Sequence, residues 1–453
     1  MTSVATNSRI SAPALRSRRA IFIGGLVFII VSLVLIRLLG LDTLGKTLET
    51  HMQFLDIPTL KESPFLSILY THSQPPLLNV IVWILSLLPT DLYLNFIILN
   101  IVCSYLIGLV IFDITQQYLG SQVTAIAITI GYWASPAVFL YTTYPFYPSL
   151  TAVGYAGLVY SFFIVSKYPT ASLKLLVVSI IYLTLLRSSF SPLHGILAFI
   201  AYYTYTRGNS GRRTVSWAGA IIIIGISIVP VKNFVLYDFF GTSSWAPLNV
   251  AKGTGVHDGL GPFPLPEAIR AKYPDLQCEN MYGIQDKDDK RRNGFVNFNS
   301  CYLVEYAKIV KPTLGENYNF RRHLKIAVES AWVYFSVPEK YPFVENRVRI
   351  LSYANSFNGL FMTAPVLGSE VRLLILILLV MGTYYLFQRR DKFLGLLLAI
   401  VMIHFFSHVL IDGGESSRFV FDIEFIFWIL FALVLSFFSK SADTNYTKVV
   451  NHD

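Results

Sequence analysis

The chain has 453 residues, 54% of them hydrophobic and only 14% charged. A water-soluble globular domain carries about 25% charged residues, so the composition excludes that class. Repeated apolar runs reach the roughly 20 residues that cross a bilayer, and they are continuous where a β-barrel would alternate. The net charge of +9 has no contiguous basic face behind it. It belongs to the cytoplasmic flanks of spans and does not indicate a nucleic-acid partner.

Residues 1–19 form a polar, basic tail with Arg9, Arg16, Arg18 and Arg19. The first predicted span, 20–39, exceeds the 7–15 residues (roughly) of a signal-peptide core, so it is read as retained with its N-terminus in the cytoplasm. Further spans are predicted near 93–116, 122–140, 148–166, 173–187, 192–206, 214–236, 372–388, 393–411 and 418–438, about ten in all. This count puts three basic connections in the cytoplasm: Lys167 with Lys174, Arg207 with Arg212 and Arg213, and Arg389 with Arg390 and Lys392. The positive-inside rule is then satisfied throughout.

One apolar run is left out. Counting Pro75 to Pro89 as a span would invert every later loop. It is short and bounded by prolines, so a helix on the outer face is expected, with Pro75 and Pro76 in its first turn. The domain plan is a tail (1–19), an N-terminal transmembrane module (20–235) with a first outer loop (40–89), a large outer loop domain (236–371), C-terminal spans (372–438) and a cytoplasmic tail (439–453). Cys103 falls in a span. Cys278 and Cys301 share the large outer loop and could pair in an oxidising compartment. No Cys/His spacing typical of zinc is present, and no P-loop.

The first outer loop concentrates Asp42, Glu49, Asp56 and Glu62 with His51 and His72. In a chain this poor in charge, such a set at a membrane face suits base catalysis on a hydroxyl. An acid after the first span, Glu49 in "LETHMQFLD", precedes "HSQPPL", His72 to Leu77, which opens the surface helix. This arrangement resembles the GT-C fold, the lipid-phosphosugar-dependent glycosyltransferases that include protein O-mannosyltransferases and bacterial aminoarabinose transferases. The resemblance implies an all-α polytopic membrane protein with juxtamembrane helices in the first outer loop. It implies an inverting transferase that takes a sugar from a polyprenyl-phosphate donor on the outer face. The acceptor would be a hydroxyl of a lipid, glycan or protein. Leu48 stands where those families often carry the first acid of an Asp-Glu pair. Glu49 is therefore the first candidate base and Asp56 the second, with His72 and Gln74 shaping the site beside it.

Other residues are singled out by position. Arg187 lies at the outer end of a predicted span, where a charge is expensive; it is read as a phosphate ligand or as a snorkelling side chain. His194, just beyond, is expected to pack. Tyr147, in "YTTYPFYPS", fits an aromatic belt or a donor groove. Trp245 either stacks on sugar or anchors the large loop. "ESSRF" resembles a GT-C acid-x-x-Arg-aromatic element, with Arg418 on phosphate and Glu415 orienting it, and Asp422 as partner of Arg418. No metal ligands are assigned, although the loop acids could hold a divalent cation. The alternatives are a transporter or flippase of a lipid-linked or anionic substrate, or a non-catalytic assembly subunit. The membrane is a plasma membrane, or that of the ER in a eukaryote.

Overall fold

The computed structural model describes residues 12–38, 54–143, 145–206, 212–254, 303–308, 318–334, 377–385, 391–411 and 421–436, with isolated positions at 271, 310 and 388. Every regular element among them is helical. The helices are α1 (Ala12–Leu38), α2 (Ile57–Glu62), α3 (Pro64–Tyr70), α4 (Leu77–Ser86), α5 (Leu92–Leu119), α6 (Gln122–Trp133), α7 (Pro136–Thr142) and α8 (Tyr147–Ile164). They continue with α9 (Pro169–Leu186), α10 (Pro192–Tyr205), α11 (Arg212–Tyr237), α12 (Ala246–Thr254), α13 (Phe320–Tyr334) and α14 (Lys392–Ile411). A last helical stretch covers 424–436.

Among the described residues, five helices are long and apolar enough to cross a membrane: Ile21–Leu38, Leu92–Leu119, Pro169–Leu186, Val215–Tyr237 and Lys392–Leu410. The chain is therefore an all-α membrane protein. Its spans do not carry a narrow apolar stripe, because lipid replaces water outside. In α11, Trp217, Ile221, Ile224, Ile228 and Val235 are exposed on the outside of the bundle while Ile222, Ile226 and Val229 are buried within it.

Local sequence sets the boundaries. Asp91 caps α5 by accepting from the Leu94 amide at 3.0 Å, and the helix stops at Gly120, which takes the left-handed φ of 66° that a side chain would resist. Prolines open α3, α7, α8, α9 and α10, where the missing amide hydrogen costs nothing. The expected single span over 122–140 is divided, because Pro136 starts a new helix after α6 closes at Ala134. The run after Pro76 forms α4 with 10 residues. At 1.5 Å per residue it covers about 15 Å, half the hydrocarbon thickness, so it does not span.

The core centres on α5 and α8. α5 packs against α1, α4, α6, α7 and α8, and α8 against α5, α7, α9 and α14. Close approach depends on glycine at Gly108, where an added Cβ would stand 2.2 Å from the Trp133 indole nitrogen. That indole stacks on Phe28 of α1 at 5.3 Å and donates to the Ser104 carbonyl of α5 at 3.1 Å, locking α1, α5 and α6. The helices α12 and α13 pack on each other and on α14. Ala327 and Ala331 of α13 meet Phe405 and Val409 near the end of α14.

Candidate functional site

Two polar clusters are built into this frame. The first gathers at Arg187. This residue caps the C-terminus of α9, with its amide donating to the Leu183 carbonyl at 3.0 Å, and it is only 6% exposed. Its Nη1 donates to Asp422 Oδ2 in a buried ion pair. The Tyr147 ring, from the first turn of α8, faces the guanidinium carbon at 5.8 Å. His404 and His408 of α14 are both buried, with ring centroids 4.4 Å apart, and His404 Nε2 stands 3.7 Å from Asp422 Oδ2. Tyr155 closes one side, edge-on to His404 at 5.5 Å and to Phe190 at 5.8 Å.

The walls of this cluster are held by hydrogen bonds that satisfy backbone groups at helix ends. The α7–α8 turn is fixed by α5: Tyr93 Oη donates to the Thr143 carbonyl at 2.8 Å, and Asn100 Nδ2 donates to the Thr142 carbonyl at 3.3 Å. Thr142 and Thr143 are buried, and such groups need partners within the protein. Tyr141 then packs on Phe421 at 4.3 Å, next to Asp422. His194 fills a capping box at the start of α10 with Ser191, and its Nε2 lies 3.0 Å from Ser407 Oγ on α14. It therefore aligns α10 with the helix that carries the two buried histidines.

The second cluster surrounds His72. Its Nδ1 lies 2.9 Å from Ser244 Oγ, its carbonyl accepts from the Ser244 amide at 2.9 Å, and its ring sits edge-on to Tyr237 at 4.8 Å. Lys232 donates to the Thr71 carbonyl, Ser243 to the Ser73 carbonyl, and Tyr237 Oη to the Tyr70 carbonyl at 2.5 Å. Gln74 is buried in the same segment, and the Trp245 amide donates to Ser243 Oγ at 3.1 Å. The stretch 70–74 thus clasps the end of α11 to the segment between α3 and α4. Elsewhere, Asn79 Oδ1 accepts from the Leu55 amide at 3.0 Å, and Asn95 Nδ2 donates to the Leu85 carbonyl at 3.1 Å, fixing α4 on both sides.

Of the residues singled out in the sequence, Arg187 and Tyr147 meet in the first cluster, and His72, Gln74 and Trp245 belong to the second. The two are linked through α12, which follows Trp245 and packs on α14. Asp56 immediately precedes α2 and accepts from the Leu60 amide at 2.8 Å through its carbonyl. Glu49, Glu415, Arg418, Cys278 and Cys301 lie outside the described residues. Asp422 forms an ion pair with Arg187, 235 positions away in sequence; the pairing with Arg418 expected from the sequence lies outside the described residues. Sequence reasoning missed His404 and His408, although "HFFSH" places them one helical turn apart.

No family model, no curated protein and no solved structure matches this chain.

Proposed function

We propose that the protein is a ten-span, GT-C-type inverting glycosyltransferase that uses a polyprenyl-phosphate sugar on the outer face of its membrane. The observation that carries this reading is the buried Arg187–Asp422 pair at the end of α9. A charge at this depth is costly and is kept for a reason, and a guanidinium has five donors in a planar fork that can serve a carboxylate and a phosphate together. In the sequence Asp422 follows "ESSRF", which carries Glu415 and Arg418. Tyr147 supplies an aromatic wall at the same place.

In this reading a first-loop carboxylate, Glu49 or else Asp56, takes the proton of the acceptor hydroxyl. The hydroxyl oxygen attacks the anomeric carbon from the face opposite the lipid phosphate. The bond from that carbon to the phosphate oxygen breaks, and the polyprenyl phosphate leaves with the electron pair. Arg187, oriented by Asp422, stabilises the phosphate charge as it develops, with Arg418 as a second cation. The clasp formed by His72 and its neighbours ties residues 70–74, which follow the candidate acids in the chain, to the end of α11.

The test is a mass-spectrometric comparison of cell-surface glycans with and without the gene, followed by complementation. One glycan class is expected to disappear and to return with the wild-type chain, but not with the Glu49→Ala, Asp56→Ala double variant expressed at the same level. Unchanged glycans in the deletion, or full restoration by the double variant, would refute the assignment and favour transport or an assembly role.

A further inference from the structure

His404 and His408 are one turn apart on α14, so both rings leave the same helix face. Asp422 reaches them from a separate element, and all three side chains are buried. One ligand-type atom from each lies within 4.8 Å of the others. The carboxylate is divided. Oδ2 faces Arg187 and His404, whereas Oδ1 is buried and has no hydrogen-bond partner among the described residues. A buried acceptor with no donor calls for an explanation, and a bound ion is one.

The geometry points to a divalent transition-metal site formed by His404, His408 and the Asp422 carboxylate, adjoining Arg187. Two imidazoles and one carboxylate suit zinc and its first-row neighbours; calcium and magnesium take oxygen ligands. With metal–ligand bonds of about 2.0–2.1 Å, tetrahedral ligand atoms stand about 3.4 Å apart. Closing from within 4.8 Å takes a shift of about 0.8 Å or less per side chain. Three protein ligands leave the fourth position open, the pattern of catalytic zinc. Arg187 already balances Asp422, so the ion arrives as buried double positive charge, and the open position favours an anionic ligand. That this anion is the donor's phosphate rests on the transferase reading; the metal site itself does not.

The experiment uses the full chain, free of any histidine tag, purified in detergent, stripped with chelator and dialysed against cobalt(II) or zinc(II). Metal per chain is measured by mass spectrometry, and cobalt geometry by the visible d–d spectrum. One ion per chain is expected, with an intense tetrahedral cobalt band. Inorganic phosphate should shift that band. His404→Gln and His408→Gln should each weaken metal binding at least tenfold, since losing even an outer-shell partner of a ligand costs about 10–100-fold. His323→Gln, on α13 outside the cluster, should bind as the wild type does. Arg187→Gln should keep the metal while losing sugar transfer, which separates failure of this site from failure of the transferase reading. A wild-type chain that emerges without metal, or shows only a weak octahedral band, would overturn the proposal, even if the histidine variants do not fold. So would a band that survives in the His404→Gln, His408→Gln double variant.

Discussion

Removing one partner of the Arg187–Asp422 pair is the sharpest perturbation available, because both side chains are almost fully buried, at 7% and 1% exposure. An exposed pair would contribute about 0.2–1 kcal/mol. Here the remaining charge would stay buried without its counter-ion, and stranding one partner of a buried pair costs about 3–5 kcal/mol. That corresponds to roughly a 10²- to 10³·⁵-fold loss in the folded-to-unfolded ratio. Replacing both partners with apolar residues of similar volume removes the desolvation penalty together with the attraction and is often close to neutral. Arg187→Met and Asp422→Leu should therefore each destabilise by about 3–5 kcal/mol, while the double variant recovers most of the loss. The assay is reversible unfolding in mixed detergent micelles followed by circular dichroism, with chelator present so that no ion substitutes for the missing charge. Single variants costing less than about 1 kcal/mol, or a double variant that simply sums the singles, would show that the pair is not a buried, coupled one.

His72→Ala should act on the outer clasp. It removes the contacts to Ser244 and Tyr237, at a cost of about 1–3 kcal/mol, and limited proteolysis should detect earlier cleavage near the end of α11. Equal protease resistance in the variant would mean the clasp does not depend on the imidazole. Gly108→Ala should push the Trp133 indole out of the α1–α5–α6 contact, because the new Cβ would meet it at 2.2 Å. A loss of about 1–3 kcal/mol is expected, read as a red-shifted, more exposed tryptophan emission together with a lower unfolding midpoint. An unaltered midpoint would mean the indole relaxes at no cost.

Much of the fold was legible because lipid imposes a local, additive constraint. A run of some 20 apolar residues reports a span wherever it occurs, and α1, α5, α9, α11 and α14 answer to runs read from composition alone. The shortness and flanking prolines of 75–89 already separated α4 from the spans. Pro136 could have warned that 122–140 would divide. For the candidate site, Arg187 stood out for a related reason: a charge at a span's end is costly whatever surrounds it.

What the tertiary structure alone decided is which groups answer one another. Asp422 pairs with Arg187 across 235 positions, a partnership that no local pattern in the sequence announces. His72, in sequence a polar residue before two prolines, spends its ring on Ser244 and Tyr237 and its carbonyl on the Ser244 amide. His404 and His408 sit within an unbroken apolar run, and only the packing of α14 beside α8 and the start of the C-terminal helix places them against Asp422. Hydropathy is a sum over neighbours in the chain and determines which segments enter the membrane. Charge pairing and ligand geometry depend on distances between segments, and those exist only once the helices have packed.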